Sequence, residues 1–120
     1  VSNSKDLKKL NAKAYRTESG NEPVREWLKS LSKEDRRKIG EDIKMIEFGF
    51  PVGLPTCRPL NNGLYEVRTN LDSRIARIIF CVIGDEMIWL HGFIKKSQKI
   101  LKQDLDLALE RKRKLERKND

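Results

Sequence analysis

The stretch Gly63–Lys99, GLYEVRTNLDSRIARIIFCVIGDEMIWLHGFIKKSQK, decides the fold. Three apolar runs inside it, Leu64–Thr69, Arg74–Ile83 and Met87–Ile94, read as strands, and Gly84-Asp85 supplies a two-residue hairpin turn between the last two. An antiparallel meander is expected. The runs are interrupted by Arg68, Arg74, Arg77 and His91 and lead into Lys95, Lys96 and Lys99. Cations within strands are costly unless they reach solvent, a partner or an anion, so the pattern predicts a sheet with a basic face built to meet phosphate, with RNA the leading candidate.

Side chains alternate across a strand, which divides these cations between two faces. Arg77 falls with Ile75, Ile79 and Cys81, whereas Arg74 falls with Ala76, Ile78 and Phe80, so one of the two arginines must face away from the helices. On the next strand the same rule puts Trp89, His91 and Phe93 together, with the imidazole between two aromatic rings. Lys95 and Lys96 point to opposite faces, so at most one addresses the surface of Arg68.

Outward from the meander, the chain reads as helix on both sides. Leu7–Arg16 permits a first strand through the alternation of Leu10, Ala12 and Ala14 with Asn11, Lys13 and Tyr15. Thr17–Asn21 is turn chemistry, Asn21 is placed to cap a helix, and Pro23 suits its first turn. Val24, Trp27, Leu28 and Leu31 then form one apolar face at i, i+3, i+4 and i+7. Ser32, with Asp35 three residues on, caps a second helix whose stripe is Ile39, Ile43 and Ile46 and whose stop is Gly49. The proline-bearing Phe50–Asn62 reads as a connecting loop. From Lys99 the helical pattern returns through Leu101, Leu105, Ala108 and Leu109. The expected fold class is α/β in the α+β sense, in the order β-α-α-β-β-β-α: a helical hairpin on a small antiparallel sheet, with a C-terminal helix.

The 120 residues suit one domain, expected over residues 7–118, with residues 1–6 disordered or engineered. A net charge of +8 accumulates late, through Lys95, Lys96, Lys99, Lys102 and the run from Arg111 to Lys118, and favours a polyanionic partner over a neutral one. A solvated basic surface is the bland alternative. Cys57 and Cys81 are too few and too far apart for a zinc pattern, and no His pair accompanies them, so neither metal nor cofactor is expected. No apolar run approaches the ~18 residues that span a bilayer, and the expectation is a cytoplasmic protein without a membrane partner. Phosphate-loop, dinucleotide, H-E-x-x-H and G-x-S-x-G motifs are missing. The acid pairs Glu34-Asp35 and Glu41-Asp42 diverge around the helix and read as solvated.

Arg68, near the end of its strand, suits bidentate contact with phosphate; its bland alternative is a surface pair with Glu66 or Asp72. His91 reads either as a proton carrier or as a histidine at the core edge.

Taken in order, Asn21-Glu-Pro-Val-Arg-Glu-Trp27, Leu64-Tyr-Glu-Val-Arg68, Arg77-Ile-Ile-Phe80 and Leu90-His-Gly-Phe-Ile-Lys-Lys-Ser-Gln-Lys99 resemble the phage-derived HigB-type toxins of the RelE/ParE superfamily of type II toxin–antitoxin systems. The resemblance runs from about Lys13 to Lys114. It implies a RelE-like fold with a curved sheet and metal-independent cleavage of mRNA on the translating ribosome. It also implies a cognate antitoxin, with operator DNA reached only indirectly through that antitoxin. By motif, Arg68 resembles the phosphate-contacting arginine and Arg77 the arginine before the apolar core of the next strand. Lys95 and Lys96 stand where related toxins carry basic residues. Arg68, Arg77, His91 and Lys96 are the resulting candidates for the chemistry, and Arg74, Lys95 and Lys99 for holding RNA. The sequence departs from the pattern at Ser97-Gln-Lys-Ile-Leu101, which carries neither the tyrosine nor the histidine of many superfamily nucleases and leaves the acid and base open. Non-enzymatic ParE-type toxins that act on a protein such as DNA gyrase share the fold and form the competing class.

Overall fold

The computed structural model describes residues 8–53, 55–95, 100 and 102–118. The expectations for residues 1–6 and for Lys96, Lys99 and Leu101 lie outside the described residues. The elements are β1 (Asn11–Ala14), α1 (Pro23–Lys29), α2 (Lys33–Gly49), β2 (Cys57–Pro59), β3 (Leu64–Leu71), β4 (Arg74–Ile83), β5 (Glu86–Lys95) and α3 (Lys102–Lys118). They make an α+β fold around one five-stranded sheet in the order β1-β5-β4-β3-β2.

The meander forms as expected. Gly84, at φ +61°, turns β4 into β5 through the left-handed region that a glycine enters without penalty. The sheet is mixed, however, because β1 pairs with β5 in parallel, Asn11 opposite Glu86 through Ala14 opposite Trp89. Only a short hairpin forces neighbours antiparallel, and the long connection between β1 and β5 imposes no such constraint. A second difference is β2, which lies within the expected loop and pairs antiparallel with β3, Cys57 opposite Val67 and Arg58 opposite Glu66. Pro59 signals a loop locally, but an edge strand tolerates a residue that cannot donate to a ladder.

Helices cover both faces of the sheet. On the first, Val24 of α1 and Ile39, Ile43 and Ile46 of α2 close a core over Val67, Ala76, Ile78, Phe80 and Met87. A Cβ built on Gly92 of β5 would stand 2.5 Å from Trp27 Cε3, so this glycine is the seat of the α1 indole. On the second face, Leu105, Ala108 and Leu109 of α3 pack with Leu64, Ile79, Cys81, Ile88 and Leu90.

Ser32 caps α2 by accepting a hydrogen bond from the Asp35 amide at 3.1 Å. The α1 cap is Glu22, without a side-chain bond, in place of Asn21. Asn21 instead closes the preceding turn, donating its amide to Thr17 Oγ1 at 3.1 Å and accepting the Thr17 amide at 2.8 Å. At the sheet margin, the Glu47 carboxylate of α2 accepts the Ala12 amide of β1 at 2.7 Å.

Candidate functional site

The face of the sheet carrying α3 is only partly apolar. Pairing puts Arg58, Glu66, Ile79 and His91 in one row across β2, β3, β4 and β5, and Arg68, Arg77 and Phe93 in the next. Asn70, Ile75 and Lys95 make a third. α3 covers the end of the face beyond the first row, so arginines, histidine and lysine stand beside a packed layer that holds their strands in place.

Glu66 is the centre of the arginine group. Its side chain is fully buried, and Oε2 accepts a 2.8 Å hydrogen bond from an Arg77 guanidinium that is buried to the same degree. Oε1 accepts Arg58 Nε at 2.9 Å and lies 4.0 Å from Arg68 Nε. Three guanidiniums thus gather around one carboxylate. Arg58 and Arg68 retain 36% and 19% of their side-chain exposure, whereas Arg77 is fully buried. Because Glu66 holds both its oxygens toward arginine, the forks are oriented before any ligand arrives.

Beyond Ile79 in the same row, His91 Nε2 lies 2.8 Å from Asp104 Oδ1 of α3, and Lys95 Nζ 3.2 Å from Asp104 Oδ2. As a carboxylate, Asp104 accepts from Nε2, which leaves Nδ1 as the ring nitrogen able to take a proton. Phe93 flanks the imidazole with ring centroids 5.1 Å apart and also lies 5.6 Å from Lys95 Nζ. His91 and Glu66 are separated by two strand spacings, about 10 Å.

The sequence-selected residues divide as follows. Arg68, Arg77, His91 and Lys95 share this face. Arg74 is on the other one, its guanidinium 3.1 Å from Asp35 Oδ2 at the start of α2, so it fastens helix to sheet and does not join them. The expected grouping of Trp89 with His91 and Phe93 does not occur. The register shifts between Ile79 and Phe80, where Ile79 pairs with His91 and Phe80 with Trp89. The extra residue, Leu90, lets Leu90 and His91 both serve the α3 side while Trp89 joins the hairpin core.

Sequence reasoning passed over Arg58, hidden in a proline-flanked segment, and Asp104, whose partner lies on another element. It weighed Glu66 only as a surface partner of Arg68, whereas Glu66 is fully buried. The spacing Glu66-x-Arg68, which puts both on one face of β3, is the signal that connects them.

The late basic run is partly engaged within the fold. Arg111 donates to the Leu90 carbonyl at 2.7 Å and lies over the Tyr15 ring, and burial draws its pKa down. Lys112 pairs with Glu116 and Lys114 with Glu110. The thiols of Cys57 and Cys81 are both pushed up to about 11, chiefly by burial, which leaves them protonated and poor nucleophiles near neutral pH. Among the described residues no three His, Cys, Asp or Glu side chains converge as metal ligands would. No helix among them is long and apolar enough to cross a membrane.

Among curated proteins none matches the chain at a significant level. Residues 26–113, from α1 through most of α3 and thus across the whole of the arginine and histidine face, match the family described as phage derived protein Gp49-like (DUF891). Since that match takes in well over half of its length, the chain belongs to this phage-derived, toxin-like family.

Proposed function

We propose that the protein is the toxin of a type II toxin–antitoxin pair, of the HigB type within the RelE/ParE superfamily, and that it cleaves mRNA on the translating ribosome. The observation that carries this reading is the buried Glu66 orienting Arg58, Arg68 and Arg77 on the face that also holds the His91–Asp104 pair. In the reaction the ribose 2′-OH attacks the adjacent phosphorus, the P–O2′ bond forms, and the P–O5′ bond breaks. The products are a 2′,3′-cyclic phosphate and a 5′-hydroxyl. Charge grows on the non-bridging oxygens in the transition state, where Arg68 and Arg58 supply donors at the rim and Arg77 supplies field from beneath. His91, through Nδ1, takes the 2′-hydroxyl proton and the departing O5′ takes a proton from water, while Lys95, 3.2 Å from Asp104 Oδ2, helps fix the carboxylate that orients the imidazole. Lys96 and Lys99 add phosphate contacts after β5.

Membership in a toxin-like family supports a cognate antitoxin as partner, with contact to operator DNA made through that antitoxin. The test is to map 5′ ends of mRNA after induced expression of the wild type and of Arg68→Ala. New ends inside translated reading frames are expected for the wild type, and a loss of roughly 10²–10³-fold for Arg68→Ala, the usual effect of removing one oriented donor. Growth arrest with unchanged mRNA ends and altered DNA supercoiling would overturn this reading in favour of a protein target such as gyrase.

A further inference from the structure

At the free edge of β3, past the end of β2, lies a polar depression of about 310 Å³ lined from α2, the loop before β2 and β3 itself, at the small end of the ~300–1,000 Å³ usual for ligand sites. Its walls include Lys38, Glu41 and Asp42 of α2, Thr56 from the loop, and Arg68 and Asn70 of β3. Arg68 lines this depression and also belongs to the Glu66 cluster, and its amide donates to the Thr56 carbonyl at 2.8 Å.

The two carboxylates differ in availability. Glu41 accepts Arg37 at 2.6 Å on the outer side of α2. Asp42, half-buried, makes no hydrogen bond or ion pair among the described residues. A carboxylate with both oxygens available in a polar pocket repels phosphate and selects a group that offers two adjacent donors. Of the four RNA bases only guanine does so on its Watson–Crick edge, through N1–H and N2–H. Adenine and cytosine set a ring-nitrogen acceptor beside their amine, and uracil flanks its single N–H with carbonyls.

We propose that this depression is a guanine-selective subsite: Asp42 accepts N1–H and N2–H of a base next to the scissile phosphate, and the Arg68 guanidinium lies between base and phosphate. Lys38, whose Nζ lies 3.9 Å from Asp72, adds a cation to the wall, and Thr56 and Asn70 offer further polar contacts to the ribose or base. The inference rests on the ribonuclease reading and specifies which base that site takes.

The experiment maps cleavage ends after expression of the wild type and of Asp42→Ala, a change at a half-exposed helical position where alanine is a good helix former. Wild-type sites are expected to share guanine at one fixed position beside the cut. In Asp42→Ala the cleavage persists while that guanine preference falls about 10- to 100-fold, the range for losing a bidentate base contact. A second arm uses a translated reporter mRNA with inosine at the mapped position. Inosine pairs like guanosine in decoding but lacks the N2 amine, so wild-type cleavage should drop and Asp42→Ala cleavage should be indifferent. Wild-type sites without guanine at a fixed position, or an unchanged preference in Asp42→Ala, overturn the subsite while leaving the ribonuclease reading intact. No new mRNA ends from the wild type overturn both.

Discussion

Replacing Glu66 with alanine tests whether the arginine group is held from beneath. The Glu66 and Arg77 side chains are both fully buried and 2.8 Å apart, so the substitution removes a buried carboxylate from a desolvated guanidinium. Breaking such a pair from one side costs about 3–5 kcal/mol. The lost contact with Arg58 adds little, because that side chain keeps 36% of its exposure and exposed pairs contribute only ~0–1 kcal/mol. Against a total stability of roughly 5–15 kcal/mol, the loss is a large fraction. At a urea dependence of about 1.5–2 kcal/mol per molar, the unfolding midpoint falls by roughly 2 M. Trp27 and Trp89, half-buried against the hairpin core, report the transition by fluorescence. The double variant Glu66→Leu/Arg77→Met, which replaces the pair with apolar side chains, should regain most of the midpoint while leaving Arg58 and Arg68 without their orienting carboxylate. A Glu66→Ala midpoint within about 0.3 M of the wild type, under ~0.6 kcal/mol, would refute the argument that Glu66 sustains a buried charge.

Gly92→Ala is expected to lower stability by about 1–3 kcal/mol through the clash with Trp27, with part of the loss recovered in Gly92→Ala/Trp27→Leu; thermal unfolding followed by circular dichroism reads both. For the cysteines, alkylation of native protein at pH 8 should be slow and become rapid in denaturant. Stability should fall between pH 9 and pH 11, because the unfolded chain ionises thiols from 9.0 while the folded one keeps them protonated to about 11. Below pH 9 that contribution is fully present, and a urea midpoint flat from pH 9 to 11 would contradict the burial of both thiols.

What the sequence made legible was whatever depended on one element at a time. Alternation along β4 separates Arg77 from Arg74, and the two do lie on opposite faces. Ser32 caps α2 because its oxygen needs only the amide three residues on. Asn21 does not cap because the preceding turn takes it up, its backbone bonded to Thr17 and its side-chain amide donated to Ser19 Oγ. The failures in the site share a cause: each depends on a partner remote in the chain. Arg58 becomes a strand residue only once β3 is beside it, and Asp104 becomes a histidine partner only once α3 crosses β5. Trp89 was misplaced because a single added residue in β5 reverses every assignment on one side of it, and no local signal marks Leu90 as that residue.

The bond from Glu47 to the Ala12 amide bears on how a second protein can approach. A bare strand at the margin of a sheet invites another strand to continue it. Here a helix has already extended a carboxylate to the place an incoming carbonyl would need, and a visitor must first evict it. At the opposite margin β2 spans only Cys57–Pro59 and ends on a residue with no amide proton to offer. Lengthening the sheet from either side is therefore unfavourable, and a protein that silences this one is directed to lie across its helices or over its arginines.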